Sequence, residues 1–145
     1  MIDLDNQTDL KVELHALEDI QDSLTTAEVE LLIVSDDSMQ SINSQYRGKQ
    51  NSTDVLSFPL DSSFTPESIA GLPLGSIVIS ASSVEQKAKE LGHSIQDEIA
   101  LLFIHGMLHL LGFNHENDKG EMREKEEMLI KTFHLPKSLI IRTGE

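Results

Sequence analysis

The chain has 145 residues, a formal net charge of −14 and no cysteine. This length suits one ordinary domain, whose folding buries roughly 68–70% of the surface that the unfolded chain exposes. The lack of cysteine excludes a disulfide scaffold, a thiolate zinc site and a cysteine nucleophile, so any metal must be held by nitrogen and oxygen. The acidic charge repels nucleic acid at long range, although a bound divalent cation makes its own surroundings positive.

Targeting and repeat signals are absent from the sequence. The acidic N-terminal segment lacks the basic and apolar regions of a signal peptide, and no apolar run approaches membrane-spanning length. We therefore expect a cytoplasmic protein that does not enter a membrane. No repeat or low-complexity tract interrupts the chain, which predicts a single domain over residues 1–145.

Four short apolar segments have the composition of β-strands, and they are residues 2–6, 28–34, 54–59 and 74–80. Pro59 ends the third strand, because proline lacks the amide that a central ladder needs. Residues 61–72 are polar and contain Pro66 and Gly71, which predicts a mobile surface loop.

Apolar residues recur at helical spacing in five other segments. The predicted helices begin near Leu10, at Ser35 to Asp37, at Ser82, at Ser94 and near residue 118. Thr8 or Asp9 is the expected N-cap of the first helix, and Ser82 with Glu85 has the spacing of a capping box for the third. The fourth helix is apolar almost all round from Ile99 to Leu111, which places it in the middle of the domain.

The order of these elements, strands interleaved with helices and then helices alone, predicts an α+β or mixed α/β fold. We expect an α+β domain in which a small mixed four-stranded sheet packs with about five helices. In the last helix, about 118–133, Met122 and Met128 should face the core, while the charge run from Glu124 to Glu127 should form a solvated face.

Three of the six histidines fall within eleven residues, at His105, His109 and His115. Two histidines four apart on a helix share one face, where both rings can hold one ion. Gly112 can adopt positive φ, which ends the helix and turns the chain so that His115 supplies a third ligand. The alternative is that these are core and turn histidines with internal hydrogen bonds, but two such imidazoles on an aliphatic helix need a shared partner.

Three imidazoles leave a coordination position open, which is typical of a catalytic metal site. One Zn²⁺ per chain is expected from the nitrogen ligands, although nickel, copper or iron suits the same set. The spacing is that of the metzincin motif, except that the usual glutamate after the first histidine is Gly106. Peptidase chemistry should therefore fail, and Gly106 is expected to open room beside the metal for a bulky substrate.

Arg47 and Lys49 are two of only 11 basic residues and lie in a predicted loop between a helix and a strand. An arginine beside the metal can clamp a phosphate and stabilise developing negative charge. Arg47 is therefore the candidate catalytic residue, and Arg47 and Lys49 are candidates for substrate binding. The alternative is a solubilising loop or a structural ion pair.

Several further polar residues are candidates for orienting the metal ligands, and they are Asp54, Glu98, Asn114, Glu116 and Asp118. The remaining histidines, His15, His93 and His134, have no ligand spacing, so surface or capping roles are expected for them.

Four separated blocks resemble the YbeY family of bacterial endoribonucleases, and they are 46–49, 53–59, 74–75 with 77–80, and 105–115. The resemblance runs in order from about residue 28 to 130. It implies a compact α+β fold, a zinc triad at His105, His109 and His115, and a functional arginine at Arg47. It also implies cleavage of single-stranded RNA in small-subunit ribosomal RNA maturation and ribosome quality control, with no DNA partner expected.

The chain departs from the family pattern at three places. Asn114 and Ser76 stand where acids are usual, which is expected to alter hydrogen bonding to the metal ligands. Asn51-Ser52-Thr53 lacks a frequent proline, which should only loosen the loop. Two alternative functions remain open: a ribosome-assembly factor with a mainly structural metal, and a metal hydrolase of another substrate such as a peptide.

Overall fold

The computed structural model describes residues 2–47, 55–59, 74–112 and 120–135. Within these ranges the chain forms four strands and five helices. In chain order they are β1 (Ile2–Asn6), α1 (Leu14–Leu24), β2 (Val29–Val34), α2 (Asp36–Arg47), β3 (Val55–Pro59), β4 (Gly75–Ser80), α3 (Ala81–Leu91), α4 (Ile95–Leu110) and α5 (Glu121–Thr132). The predicted loop at 61–72 lies outside the described residues.

The four strands form one mixed sheet in the order β1-β2-β4-β3. β1, β2 and β4 run parallel, and β3 is antiparallel to β4 at one edge. Parallel neighbours need crossover connections, which here contain helices. The predicted α+β fold with a small mixed four-stranded sheet and about five helices is confirmed.

Successive side chains on each strand point to opposite faces of the sheet. On one face, Ile77 and Ile79 of β4 belong to the main core, together with buried residues of α1, α3, α4 and α5. On the other face, Val78 packs in a smaller cluster with Met39 of α2 and Leu56 of β3. Helices α2 and α4 therefore lie on opposite faces of the sheet.

Helix α4 occupies the middle of the larger layer and is nearly all buried, as the sequence predicts. Its N-cap is Ser94, whose side chain accepts a hydrogen bond from the backbone amide of Asp97 at 3.0 Å. Among the described residues, α4 contacts β3, β4 and the helices α1, α3 and α5. The central position of this helix determines where its few polar side chains emerge.

Two predicted helix starts are wrong. Helix α1 begins at Leu14 with Glu13 as its N-cap residue, because the Thr8 hydroxyl accepts instead from the amide of Leu10 in a local turn. Helix α3 begins directly after β4, and its N-cap is Ser80, whose hydroxyl accepts from the amide of Ser83. The expected Ser82 cap therefore lies inside the helix.

Helix α5 differs from its predicted burial pattern. It begins at Glu121, and Met128 is 46% exposed, whereas a core position was expected. Glu126, expected on a solvated face, is only 1% exposed. Both differences arise because the helix buries another stripe than the one expected. The buried residues of α5 are Met122, Glu126, Leu129 and Ile130.

A search of the described helices finds none with the length and apolar character needed to cross a membrane.

Candidate metal centre

The two histidines of α4 interrupt an otherwise buried stretch of helix. From Ile99 to Leu110 every residue except His105 and His109 is buried, and these two are partly exposed. The His105 side chain is 29% exposed. The core side of α4 is therefore apolar, and within this stretch only the two imidazoles lie on a partly exposed side of the helix.

The rings of His105 and His109 approach each other through the Nε2 atom of each ring. Nε2 of His105 and Nε2 of His109 lie 3.1 Å apart, and the ring centroids are 4.6 Å apart in an edge-on arrangement of 74°. Two nitrogens bound to one tetrahedral zinc at about 2.0–2.1 Å would lie about 3.3 Å apart. The pair thus fits two ligands of a single ion without rearrangement of the helix.

A buried carboxylate stands behind His105. Nδ1 of His105 is 3.1 Å from Oε1 of Glu126, whose side chain is 2% exposed. A carboxylate that accepts from the second ring nitrogen is the usual companion of a metal-binding histidine. The sequence contained a signal for the burial of Glu126. This residue stands four residues after Met122 and three before Leu129, which is the spacing of the buried stripe.

Gly106 is buried against β4 and does not open space for a substrate, which corrects that expectation. A Cβ at position 106 would lie 2.9 Å from Cγ2 of Ile77, so the glycine allows α4 to approach the sheet. The Ser57 hydroxyl of β3 is 3.5 Å from the carbonyl oxygen of Gly106. Residue 106 is a glycine that faces the sheet, and it therefore presents no side chain to a bound metal.

The chain turns after α4 as predicted, since Gly112 has φ +100 and donates its amide to the carbonyl oxygen of His109 at 3.1 Å. His115, the third predicted ligand, lies outside the described residues. A search of the described ranges finds no group of three His, Asp or Glu side chains able to hold an ion. The metal assignment therefore stays a prediction, supported in this structure by the His105 and His109 pair.

Arg47 is the last residue of α2 and so belongs to a helix, although the sequence placed it in a loop. Its side chain is outside the described part of the structure, as is the whole of Lys49. Both assignments remain predictions.

Glu98 and His93 form a buried pair of their own. His93 Nε2 is 2.7 Å from Glu98 Oε1, with side chains 1% and 0% exposed. The expectation of a surface or capping role for His93 is therefore wrong, whereas His15 and His134 are exposed as predicted. Of the proposed orienting residues, Glu98 lies against His93, while Asp54, Asn114, Glu116 and Asp118 fall outside the described residues.

Ser76 lies on the other side of the sheet from the two histidines of α4. Its hydroxyl donates to Glu30 Oε2 at 2.7 Å, and it shares the strand face of Val78, away from α4. The expectation that Ser76 alters hydrogen bonding to the histidines of α4 is wrong, because the sheet separates them.

Comparison with known proteins identifies the class to which this chain belongs. The sequence model of a nuclease family, described as "Endoribonuclease YbeY", matches residues 3–134. The chain belongs to this family, which confirms the resemblance seen in the sequence.

Curated relatives with the same description match over almost their whole length. The relative from Sulfurovum sp. is 56% identical over 142 residues, which are 98% of this chain and 97% of the relative. The relative from Nautilia profundicola is 52% identical over 145 residues and covers all of both chains. The relative from Helicobacter pylori is 53% identical over 146 residues, with 100% of this chain and 99% of the relative covered.

The fold also matches a solved structure. A solution structure of a Thermotoga maritima protein superposes with a TM-score of 0.60, at 23% identity, over 100% of this chain and 96% of that one. At this level of identity the likeness concerns the fold alone.

Proposed function

We propose that this chain is a zinc-dependent endoribonuclease that cleaves single-stranded RNA in small-subunit ribosomal RNA maturation and in ribosome quality control. The observation that carries the proposal is the pair of partly exposed imidazoles on an otherwise buried helix, with Nε2 atoms 3.1 Å apart. Relatives at 52–56% identity that are described as endoribonucleases support the reaction class.

In this proposal His105, His109 and His115 hold one Zn²⁺ per chain, and each contributes one ring nitrogen. The ion supplies Lewis-acid activation of a phosphate oxygen or of water. Partial exposure of His105 and His109 leaves the site open to a ligand, while the apolar residues around them exclude bulk water from the rest of the helix.

Arg47 is the group that stabilises the negative charge developing on the phosphorus oxygens, and Lys49 contacts a neighbouring phosphate. A guanidinium suits this role because it donates two parallel hydrogen bonds to a phosphate. The acidic chain offers few other cations, with 11 basic against 25 acidic residues. We further propose that the protein works in the cytoplasm and meets its RNA on the small ribosomal subunit.

A peptidase is the weaker alternative. In the metzincin motif the general base follows the first histidine, and here that position is Gly106, packed against Ile77. No carboxylate at this position can accept a proton from a metal-bound water. An assembly factor with a mainly structural metal is the remaining alternative.

Elemental analysis of the purified protein, coupled to an RNA cleavage assay with and without chelator, tests the proposal. We expect one zinc per chain and cleavage of a single-stranded RNA, with a duplex of the same sequence largely spared. Chelation should abolish cleavage, and added zinc should restore it. Stoichiometric metal without any cleavage would instead support the assembly factor.

A further inference from the structure

Glu126 is a buried carboxylate that the proposed reaction does not itself require. It lies on α5, it is 1% exposed, and its Oε1 is 3.1 Å from His105 Nδ1. Withdrawing a carboxylate from water is unfavourable unless hydrogen bonds or opposite charge compensate it. Apolar neighbours on the same stripe, Met122 and Leu129, already pack α5 into the core. Packing alone therefore does not explain why a carboxylate occupies this position.

The contact determines which nitrogen of His105 carries the proton. An ionised carboxylate only accepts hydrogen bonds, so Nδ1 of His105 donates to Glu126. In the neutral imidazole the other nitrogen, Nε2, then bears a lone pair. That atom is the one that lies 3.1 Å from His109 Nε2.

We propose that Glu126 is a positioning residue for the metal: it holds His105 in the Nδ1-protonated tautomer and in the ring orientation that presents Nε2 to the ion beside His109. The inference rests on the proposed metal site and deepens it. In this role Glu126 is not itself a ligand of the ion, and it acts through His105. Its negative charge also partly balances the charge of a divalent cation.

The contact also links two helices to one site. His105 belongs to α4, and Glu126 belongs to α5, 21 residues further along the chain. The segment between them includes His115. Helix α5 follows the predicted third ligand in the sequence. In this proposal it fixes the orientation of a ligand that belongs to α4.

Glu126→Gln tests the proposal, because the amide keeps the size of the side chain and loses its charge. A glutamine can accept from Nδ1 or donate to it, so it no longer selects one tautomer. The matched control is Glu127→Gln on the same helix, where the carboxylate is 3.3 Å from Arg123 and its side chain is 29% exposed.

Two measurements are made on each protein, and neither depends on RNA cleavage. Nitrogen-15 NMR of the metal-free protein at one alkaline pH, where the imidazoles are neutral, reports the tautomer of His105. Competition with a chromophoric chelator reports the affinity for zinc. We expect Glu126→Gln to populate the Nε2-protonated tautomer and to weaken zinc binding by about 10–100-fold, while Glu127→Gln matches the wild type.

The possible outcomes separate this inference from the proposed function. Unchanged tautomer and zinc affinity in Glu126→Gln would overturn the role of Glu126 and leave the metal site intact. A wild-type protein that binds no zinc would overturn both the proposed cofactor and this role. If zinc binds as expected but RNA is not cleaved, the proposed activity fails while the result for Glu126 stands.

Discussion

Gly106 of α4 lies against Ile77 of β4 so closely that a Cβ at position 106 would be 2.9 Å from Cγ2 of Ile77 and 3.1 Å from its Cγ1 and Cδ1. The contact sets the rotation of α4 about its own axis. With residue 106 facing the sheet, the neighbouring His105 and His109 reach the partly exposed side of the helix.

We expect Gly106→Ala to destabilise the protein. Overpacking a well-filled core generally lowers the free energy of unfolding by about 1–3 kcal/mol, while alanine in place of glycine restores about 1 kcal/mol of helix propensity. Urea denaturation of the metal-free protein should therefore show a net loss of about 1 kcal/mol. In an Ile77→Val background, which removes Cδ1 but keeps Cγ1 and Cγ2, the loss should be partly relieved. A variant as stable as the wild type would contradict the close packing.

Alanine substitution of His105, His109 or His115 should release the metal, because a two-histidine remnant loses both affinity and geometry. Acidification should do the same in the wild type, since protons compete with the ion for the same lone pairs. Metal content after gel filtration measures both effects. His15→Ala is the control, since that side chain is 91% exposed, and it should retain full metal. Stoichiometric metal in all three site variants would refute the assignment.

Incubation with casein should show no chelator-sensitive cleavage. Gly106 provides no general base, and the contact with Ile77 leaves no room to add one. Gly106→Glu should therefore fail to create a peptidase and should unfold at lower urea concentration than the wild type. Robust metal-dependent proteolysis by the wild type would count against the nuclease proposal.

Isolated single-stranded RNA should bind weakly, because a chain with net charge −14 can neutralise few phosphates. The salt dependence should be shallow, corresponding to roughly two or three contacts at about 0.7 each on a log–log plot. Such weak binding favours delivery of the RNA by a larger partner, for which the small ribosomal subunit is the proposed candidate. A steep slope would place a larger RNA surface elsewhere on the protein.

Arg47→Ala should lower RNA cleavage far more than it lowers folding stability, and Arg47→Lys should restore cleavage only in part if the contact is bidentate. Initial rates at saturating RNA and urea midpoints measure the two effects separately. Equal cleavage by the wild type and Arg47→Ala would remove this arginine from the mechanism.

The buried pair of His93 and Glu98 should contribute to stability without a role in metal binding. Glu98→Ala should lower the free energy of unfolding by about 1.5–3 kcal/mol, which is the range for a hydrogen bond to a charged group. The control is Asp19→Ala at the exposed His15 pair, whose atoms are 3.7 Å apart, and it should leave stability essentially unchanged. Loss of zinc from a folded Glu98→Ala protein would show that this pair also supports the metal site.

The sequence alone predicted the strands, the buried character of α4 and the histidine pair, because each depends on local periodicity. Hydrophobic spacing identifies the face of an element, and two histidines four residues apart must share a helical face. The turn at Gly112 was predictable for the same local reason. Membership of the family was likewise visible, because its motifs are contiguous blocks of residues.

Only the tertiary structure determined which polar residues are buried in the core and which of them are in contact with one another. Glu126 and Glu127 are neighbours in one charge run, yet the packing of α5 on α4 buries the first beside His105 and leaves the second with Arg123. Likewise, nothing in the local sequence shows that residue 106 would face Ile77 or that Ser76 would lie across the sheet from the histidines. Such contacts depend on how whole elements pack against one another, and local periodicity does not contain that information.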